Sequence, residues 1–311
     1  MKSLTVWELK RTRIYHDIYS QIRENPRITY KEMAINKGVG RGKRHSTYSQ
    51  HYSNMKSRMI SRDPIAILKP SERYQTNAYL CKNKNGCKRG EKYEKLKKNK
   101  DINFIMFLLG DLDFLITSRK DIDLSSYNLD VVKTKMYAPI FTEPRGWDKE
   151  IEETFKDMIN SDFEKGNLTR EKLRLDWTEL DWTIYREMKG NIRRSFKDVS
   201  KITDVYRQTV KSHFFDIVLP HCVICHYFFP RGYDYYRQTF LRIQSNYEKD
   251  LINAFSKLST TTYVYPLGNE LNVVAFHDNS NKFLKNIQKL EEKGIIENYY
   301  VSVPLESTFI F

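Results

Sequence analysis

Apolar side chains recur every fourth position at Ile14, Ile18 and Ile22, and again at Leu180, Ile184 and Met188. That spacing marks the buried stripe of a helix in both places. Each stripe is followed by a hydroxyl with an acid three residues on, "TYKE" at Thr29 to Glu32 and "SFKD" at Ser195 to Asp198. These capping boxes predict a short second helix, and a third helical run follows at 46–60 and 204–218. The period then falls to two. "RYQTNAYLC" (73–81) and "YRQTFLRIQ" (236–244) both carry a Gln-Thr pair and alternate like strands. In the second half, 246–258 places Leu251, Ala254, Phe255 and Leu258 on one helical face. Two β-rich runs then flank Gly268-Asn269, a helix stops at Gly294, and "ENYYVSVPL" closes as a strand. The order is β-α-β-β-α-β. The first half shows the same hairpin about Gly110-Asp111, a poorly amphipathic helix within "RGEKYEKLKKNK", and "MYAPIFTEP" as its closing strand. Between the halves, Ile151, Phe155 and Ile159 repeat every four residues and predict a structured connector.

The two halves are copies. "IYSQIRENPRITYKEMA" (18–34) aligns with "IYREMKGNIRRSFKDVS" (184–200) at a constant offset of 166, with Ile18/Ile184, Tyr19/Tyr185, Asn25/Asn191, Arg27/Arg193 and Lys31/Lys197 identical. Tyr48-x-Gln50 then matches Tyr206-x-Gln208, so the first copy holds eight extra residues, in the basic loop "NKGVGRGKRHS". A duplication of this kind predicts an α+β chain in which two helix-turn-helix domains (1–65 and 176–220) alternate with two ferredoxin-like domains (66–145 and 221–311), joined by a helical connector (146–175).

Charge sharpens the picture. The net charge is +14, yet residues 1–100 hold 25 Lys and Arg against 8 Asp and Glu, so the excess lies entirely in the first third. A localised basic field suits a polyanion; a Lys-rich solvated surface is the plain alternative. Cysteines 81, 87, 222 and 225 do not have zinc-knuckle spacing. "CVICH" matches a haem-attachment pattern only formally, and its thiols read as small hydrophobes in an extended segment. No apolar run reaches the length of a membrane span, and the first residues lack a signal-peptide pattern, so a cytoplasmic protein is expected. No nucleophile–base pair, phosphate-binding glycine loop or metal-binding helix motif is present, and neither an enzyme nor a cofactor is expected.

On "LDWTIYREMKGNIRRSFKDVS", "TVKSHF", "GDLDFLIT" and "YVYPLGNELNVVAFH" the chain resembles the Lrp/AsnC (leucine-responsive) family of transcription regulators, duplicated in tandem over nearly the whole length. The G-x-x-D of the family hairpin is matched by Gly110 to Asp113, whereas in the second copy Asn272 replaces the acid. The resemblance implies a sequence-specific binder of double-stranded DNA, an intrachain pseudo-dimer with room for further association of chains, and a small-molecule effector in some members. Phosphate and base contacts are then expected from Arg41, Lys43, Arg44, Ser46, Tyr48, Ser49, Gln50, His51, Asn54 and Lys56, and from Tyr206, Arg207, Gln208, Lys211 and Ser212. Gly110, Asp111, Asp113, Gly268 and Asn269 are the expected ligand positions. Two alternatives compete. One is an architectural DNA-binding protein with little sequence preference. The other is an enzyme like the sirohaem decarboxylases, which resemble the same two-module layout; His213, His221, His226 and His277 with Tyr227 and Tyr233 would then contact the tetrapyrrole or act as general acids.

Overall fold

The computed structural model describes residues 5–37, 45–72, 74–84 and 88–309. Arg41, Lys43 and Arg44 lie outside the described residues. The chain opens with α1 (Val6–Glu24), fixed at its start by reciprocal hydrogen bonds between Thr5 and Glu8, and α2 (Tyr30–Asn36), fixed likewise by Thr29 and Glu32. With α3 (His45–Ser57) they close over a core that includes Ile18, Ile22, Met33, Tyr52 and Met55. There follow β1 (Ile65–Leu68), β2 (Thr76–Asn83), α4 (Arg89–Leu96), β3 (Phe104–Gly110), β4 (Phe114–Ser118), β5 (Leu129–Met136), β6 (Ile140–Phe141) and α5 (Ile151–Ile159). The second half repeats the plan: α6 (Glu179–Met188), α7 (Phe196–Thr203), α8 (Arg207–Ser212), β7 (Cys222–Cys225), β8 (Arg237–Gln244), α9 (Glu248–Phe255), β9 (Tyr263–Leu267), β10 (Glu270–His277), α10 (Ser280–Glu292) and β11 (Asn298–Phe309).

Antiparallel pairing runs β9-β10-β8-β11-β3-β4-β2-β5 and returns to β9, so the strands of both halves close into one barrel. Within each half the spatial order is second, third, first, fourth strand. Two seams join the halves. At one, β11 pairs with β3 from Ser302↔Gly110 to Phe309↔Phe104, with a register shift between Pro304 and Glu306. At the other, Met136 meets Leu267, Pro139 is passed over, and Ile140 and Phe141 meet Val264 and Tyr263. At each seam a proline, Pro304 within β11 and Pro139 between β5 and β6, stands where the register slips, which is where a residue without an N–H is tolerated in a sheet. Each seam also presses on a hairpin glycine. A Cβ on Gly110 would lie 2.5 Å from the Val301 carbonyl oxygen, and one on Gly268 would lie 2.7 Å from Thr134 Oγ1.

Period-two alternation sorts side chains by layer. Leu80, Met106, Leu115, Phe240, Val274 and Phe276 pack inside the barrel. On the outer face Leu241, Ile243, Val273 and Ala275 meet α9 and α10, and α5 adds Phe155 and Met158 to that layer. Tyr79, Cys81, Phe114 and Ile116 lie under α4.

Outside the barrel, β1 pairs antiparallel with β7, so the strand after one helical set pairs with the strand after the other. The two helical sets also grip each other reciprocally. Arg27 Nη1 donates to the carbonyls of Ile192 and Arg194, while Arg193 donates to those of Pro26 and Ile28. One identity of the sequence repeat, Arg27/Arg193, thus holds copy to copy.

The α+β class holds. Several local expectations change. The closing strand of the first half is Leu129–Met136 rather than 136–144; it alternates weakly because both of its faces are open over much of its length, with Val131 38% and Val132 64% exposed. A 3-10 turn at Ser125–Tyr127 stands where the first half's second helix would be. The Ser195 hydroxyl accepts from the Lys197 N–H, and the reciprocal bond from Asp198 does not form. The third helix of the second copy is short because Asp204 takes the left-handed conformation before it, and from His213 to Val218 it widens into a π-helix. Among the described residues no helix is long and apolar enough to cross a membrane.

Candidate functional site: a tyrosine-lined chamber

At one mouth of the barrel the inner face changes character. β9 alternates, so Val264 joins the outer core while Tyr263 and Tyr265 point inward. The segment after β7 crosses above them and brings Tyr227 and Tyr233, with Phe229 between their rings at 5.0 and 5.2 Å. It is tied to the end of the first helical set: the Phe229 and Tyr233 N–H groups donate to the carbonyls of Ile60 and Met59. Gly232 permits the approach, with φ +91° and a Cβ position 2.6 Å from the Arg58 carbonyl oxygen.

Cys225, Tyr227, Tyr233, Tyr263 and Tyr265 converge here. Tyr263 and Tyr265 are half-buried and pack against the inner layer of the barrel. Among the described residues their hydroxyls meet no hydrogen-bond partner, whereas Tyr233 Oη accepts from Gln238 Nε2 at 2.9 Å. Burial raises the phenols of Tyr227, Tyr263 and Tyr265 and pushes the Cys225 thiol up to about 12. At neutral pH all of these groups are protonated and uncharged. These phenols and the thiol therefore offer the chamber uncharged donors, with the Arg62 guanidinium beside Tyr227 as a fixed charge at its edge.

Two imidazoles flank it. His226 stacks on Tyr19 at 4.9 Å, and burial, then Arg193 and Arg23, depress it to about 3. Its Nε2 stands 3.5 Å from Ser61 Oγ. His277 lies behind Phe276, with Nε2 2.7 Å from Thr239 Oγ1, and burial first and Arg237 second lower it to about 4. A cleft of about 150 Å³ adjoins the chamber at Phe276 and Tyr236; Trp147 and His277 also line it. It is smaller than the roughly 300–1,000 Å³ of ordinary ligand pockets.

The sequence-derived positions fall elsewhere. On α3, Ser46, Gln50 and Lys56 are exposed and Tyr48, Ser49, His51 and Asn54 are half-buried. His51 packs edge-on to Tyr15, Gln50 bonds to Asn54, and Lys56 pairs with Asp63. Tyr206, Arg207, Gln208, Lys211 and Ser212 are exposed. Gly110 and Gly268 mark the seams, Asp111 pairs with Arg242 at 2.8 Å, and buried Asp113 accepts from the Asn83 N–H and pairs with Arg89. Asn269 lines a separate polar hollow beside the Arg170–Glu248 pair. Of the tetrapyrrole candidates, Tyr227 and Tyr233 meet at the chamber and His277 lines the adjoining cleft, whereas the His226 ring turns to Tyr19 and Ser61 of the first helical set. His213 instead pairs with Asp181, and His221 meets the Ile217 carbonyl. Sequence reasoning missed Tyr263 and Tyr265. Their signal was present: two tyrosines two apart in a strand whose next same-face residue, Leu267, is core.

No family model matches the chain, and no curated protein matches it. Two solved structures share its fold. The crystal structure of the siroheme decarboxylase NirDL matches with a TM-score of 0.53 at 10% identity, over 94% of this chain and 91% of that one. The same enzyme in co-complex with an iron-uroporphyrin III analogue matches with a TM-score of 0.52 at 10% identity, over 94% and 92%. The expectation of an Lrp/AsnC regulator, with duplex DNA as partner and no enzymatic activity, is corrected accordingly. The solved structures that match across nearly the whole length are those of an enzyme, the ligand in one of them is a tetrapyrrole, and no regulator family supports the resemblance. Polar, exposed third helices and a basic first third suit either function, which is why they misled. What the likeness establishes for this chain is the fold of the siroheme decarboxylase.

Proposed function

We propose that the chain is an enzyme of the siroheme-decarboxylase type, which takes a carboxylate-bearing tetrapyrrole at the tyrosine-lined mouth and removes carbon dioxide from it. The supporting observation is the chamber itself: unpartnered, protonated phenols on the inner face of a barrel whose fold is shared with such an enzyme. In this reading the chain comprises two helix-turn-helix units and two ferredoxin-like units with the boundaries given above, and the helical units serve as walls.

The chemistry follows from the groups present. The Tyr263 and Tyr265 hydroxyls donate to the carboxylate of one side arm and orient it. The bond between that carboxylate carbon and its methylene breaks, carbon dioxide leaves, and the electron pair left on the methylene side is quenched by a proton from a neighbouring phenol, later replaced from water. The uncharged phenols of Tyr263 and Tyr265 favour this step, because the reacting group loses its charge as it becomes carbon dioxide.

Optical titration with iron-uroporphyrin III tests the binding half of the proposal. A saturable spectral change at one equivalent per chain is expected, weakened at least roughly tenfold in the Tyr263→Phe/Tyr265→Phe double variant, which loses two hydrogen bonds to a charged group. A spectrum that never saturates, or one indifferent to both substitutions, would contradict it.

A further inference from the structure

Outside the chamber, the reciprocal contact between the helical sets leaves a cluster of positive charge. Arg27 is held by the Ile192 and Arg194 carbonyls through Nη1 alone, with its guanidinium 3.9 Å above the Phe196 ring. Arg193 spends one Nη1 and one Nη2 hydrogen on the Pro26 and Ile28 carbonyls and lies over Tyr30 and Tyr52. Because each arginine bonds to the residues flanking the other, the two guanidiniums are forced into proximity. Arg207, exposed at the start of α8, belongs to the helical set whose Phe196 ring Arg27 covers, and its charge reaches Arg27: burial first, then Arg193 and Arg207, bring Arg27 down to about 10.

None of the three has a carboxylate within 4.0 Å among the described residues. The partly buried Arg170, Arg194 and Arg242 elsewhere in the molecule each do. Like charges held together in a half-buried notch repel, and nothing described here neutralises them. The carbonyls and rings fix one edge and one face of each guanidinium. The Nε–H of both arginines and the Nη2 of Arg27 are left without a partner among the described residues. Several guanidiniums held at one junction suit the oxygens of a tetrahedral dianion better than one carboxylate, which would neutralise a single arginine.

We propose that Arg27, Arg193 and Arg207 form a binding site for a tetrahedral oxyanion, of which inorganic phosphate is the simplest case, at the junction of the two helical sets. The site is independent of the tyrosine chamber.

The test is calorimetric titration and thermal melting of the full chain with inorganic phosphate against sodium chloride at matched ionic strength. Phosphate should bind saturably and raise the melting temperature where chloride does not. Arg207→Ala should weaken phosphate binding roughly tenfold, the size of a lost charged hydrogen bond. Its melting temperature without phosphate should not fall, because the side chain is exposed and a repelling charge is lost. Lys211→Ala, exposed on the same helix, should leave phosphate binding intact. Equal effects of phosphate and chloride would overturn the proposal. So would undiminished binding in Arg207→Ala, or equal losses in the two variants, which would reveal diffuse attraction rather than a site.

Discussion

A buried imidazole that stays neutral ties the stability of this molecule to pH. His226 has an ordinary value of 6.5 when unfolded and about 3 when folded, because burial and two arginines disfavour its charged form. The unfolded chain therefore takes up a proton that the folded chain refuses. Stability is fully present above pH 6.5 and drains as pH falls from there towards 3, at about 1.4 kcal/mol per pH unit for this group. His277, lowered to about 4, adds a second share over a similar window. In His226→Phe, which keeps the stacking on Tyr19, the loss of stability between pH 6.5 and 5 should shrink by about 2 kcal/mol. Denaturant midpoints at the two pH values measure it, and an unchanged loss would show that His226 is not buried neutral. At this scale the sequence was partly legible. Tyr227 and Tyr233 were named as tetrapyrrole contacts or general acids in the enzyme alternative, but only the path of the chain beneath α3 shows that they meet Tyr263 and Tyr265.

Among the elements, helices were the most legible and seams the least. The four-residue stripes of α1 and α6 and the hydroxyl–acid pairs at their successors are local signals, and local hydrogen bonds answer them. The Gln-Thr pairs show the limit of such matching. Gln238 lies on the inner face of β8 with Phe240, whereas Thr76 lies on the inner face of β2 with Ala78 and Leu80, so the two pairs sit one residue out of register. The hairpin glycines looked like ligand positions, and the barrel supplies a different constraint on them. Gly110 has φ +140° and presses on β11 of the other half. Gly110→Ala should cost about 2 kcal/mol or more, since strain and collision with backbone add. Gly90→Ala, where a Cβ meets nothing within 4 Å inside α4, should be neutral or slightly stabilising. Equilibrium unfolding of both variants decides the matter; equal costs would refute the close approach at the seam.

For the whole molecule, duplication does what two associating chains would otherwise do: the fourth strand of each half closes onto the second strand of the other, and two copied arginines lock the helical sets. None of this depends on nucleic acid. The basic first third was read as a DNA-binding face because net charge reports a preference for anions without saying which anion. The chamber stayed hidden because its tyrosines come from segments that are remote in sequence and look like ordinary strand residues.

The most direct test is turnover. Purified chain incubated anaerobically with siroheme, with products resolved by mass spectrometry, should yield a tetrapyrrole lighter by one or more carbon dioxide units, and the Tyr263→Phe/Tyr265→Phe variant should slow its formation. Siroheme recovered intact, while NirDL converts it under the same conditions, would contradict the assignment.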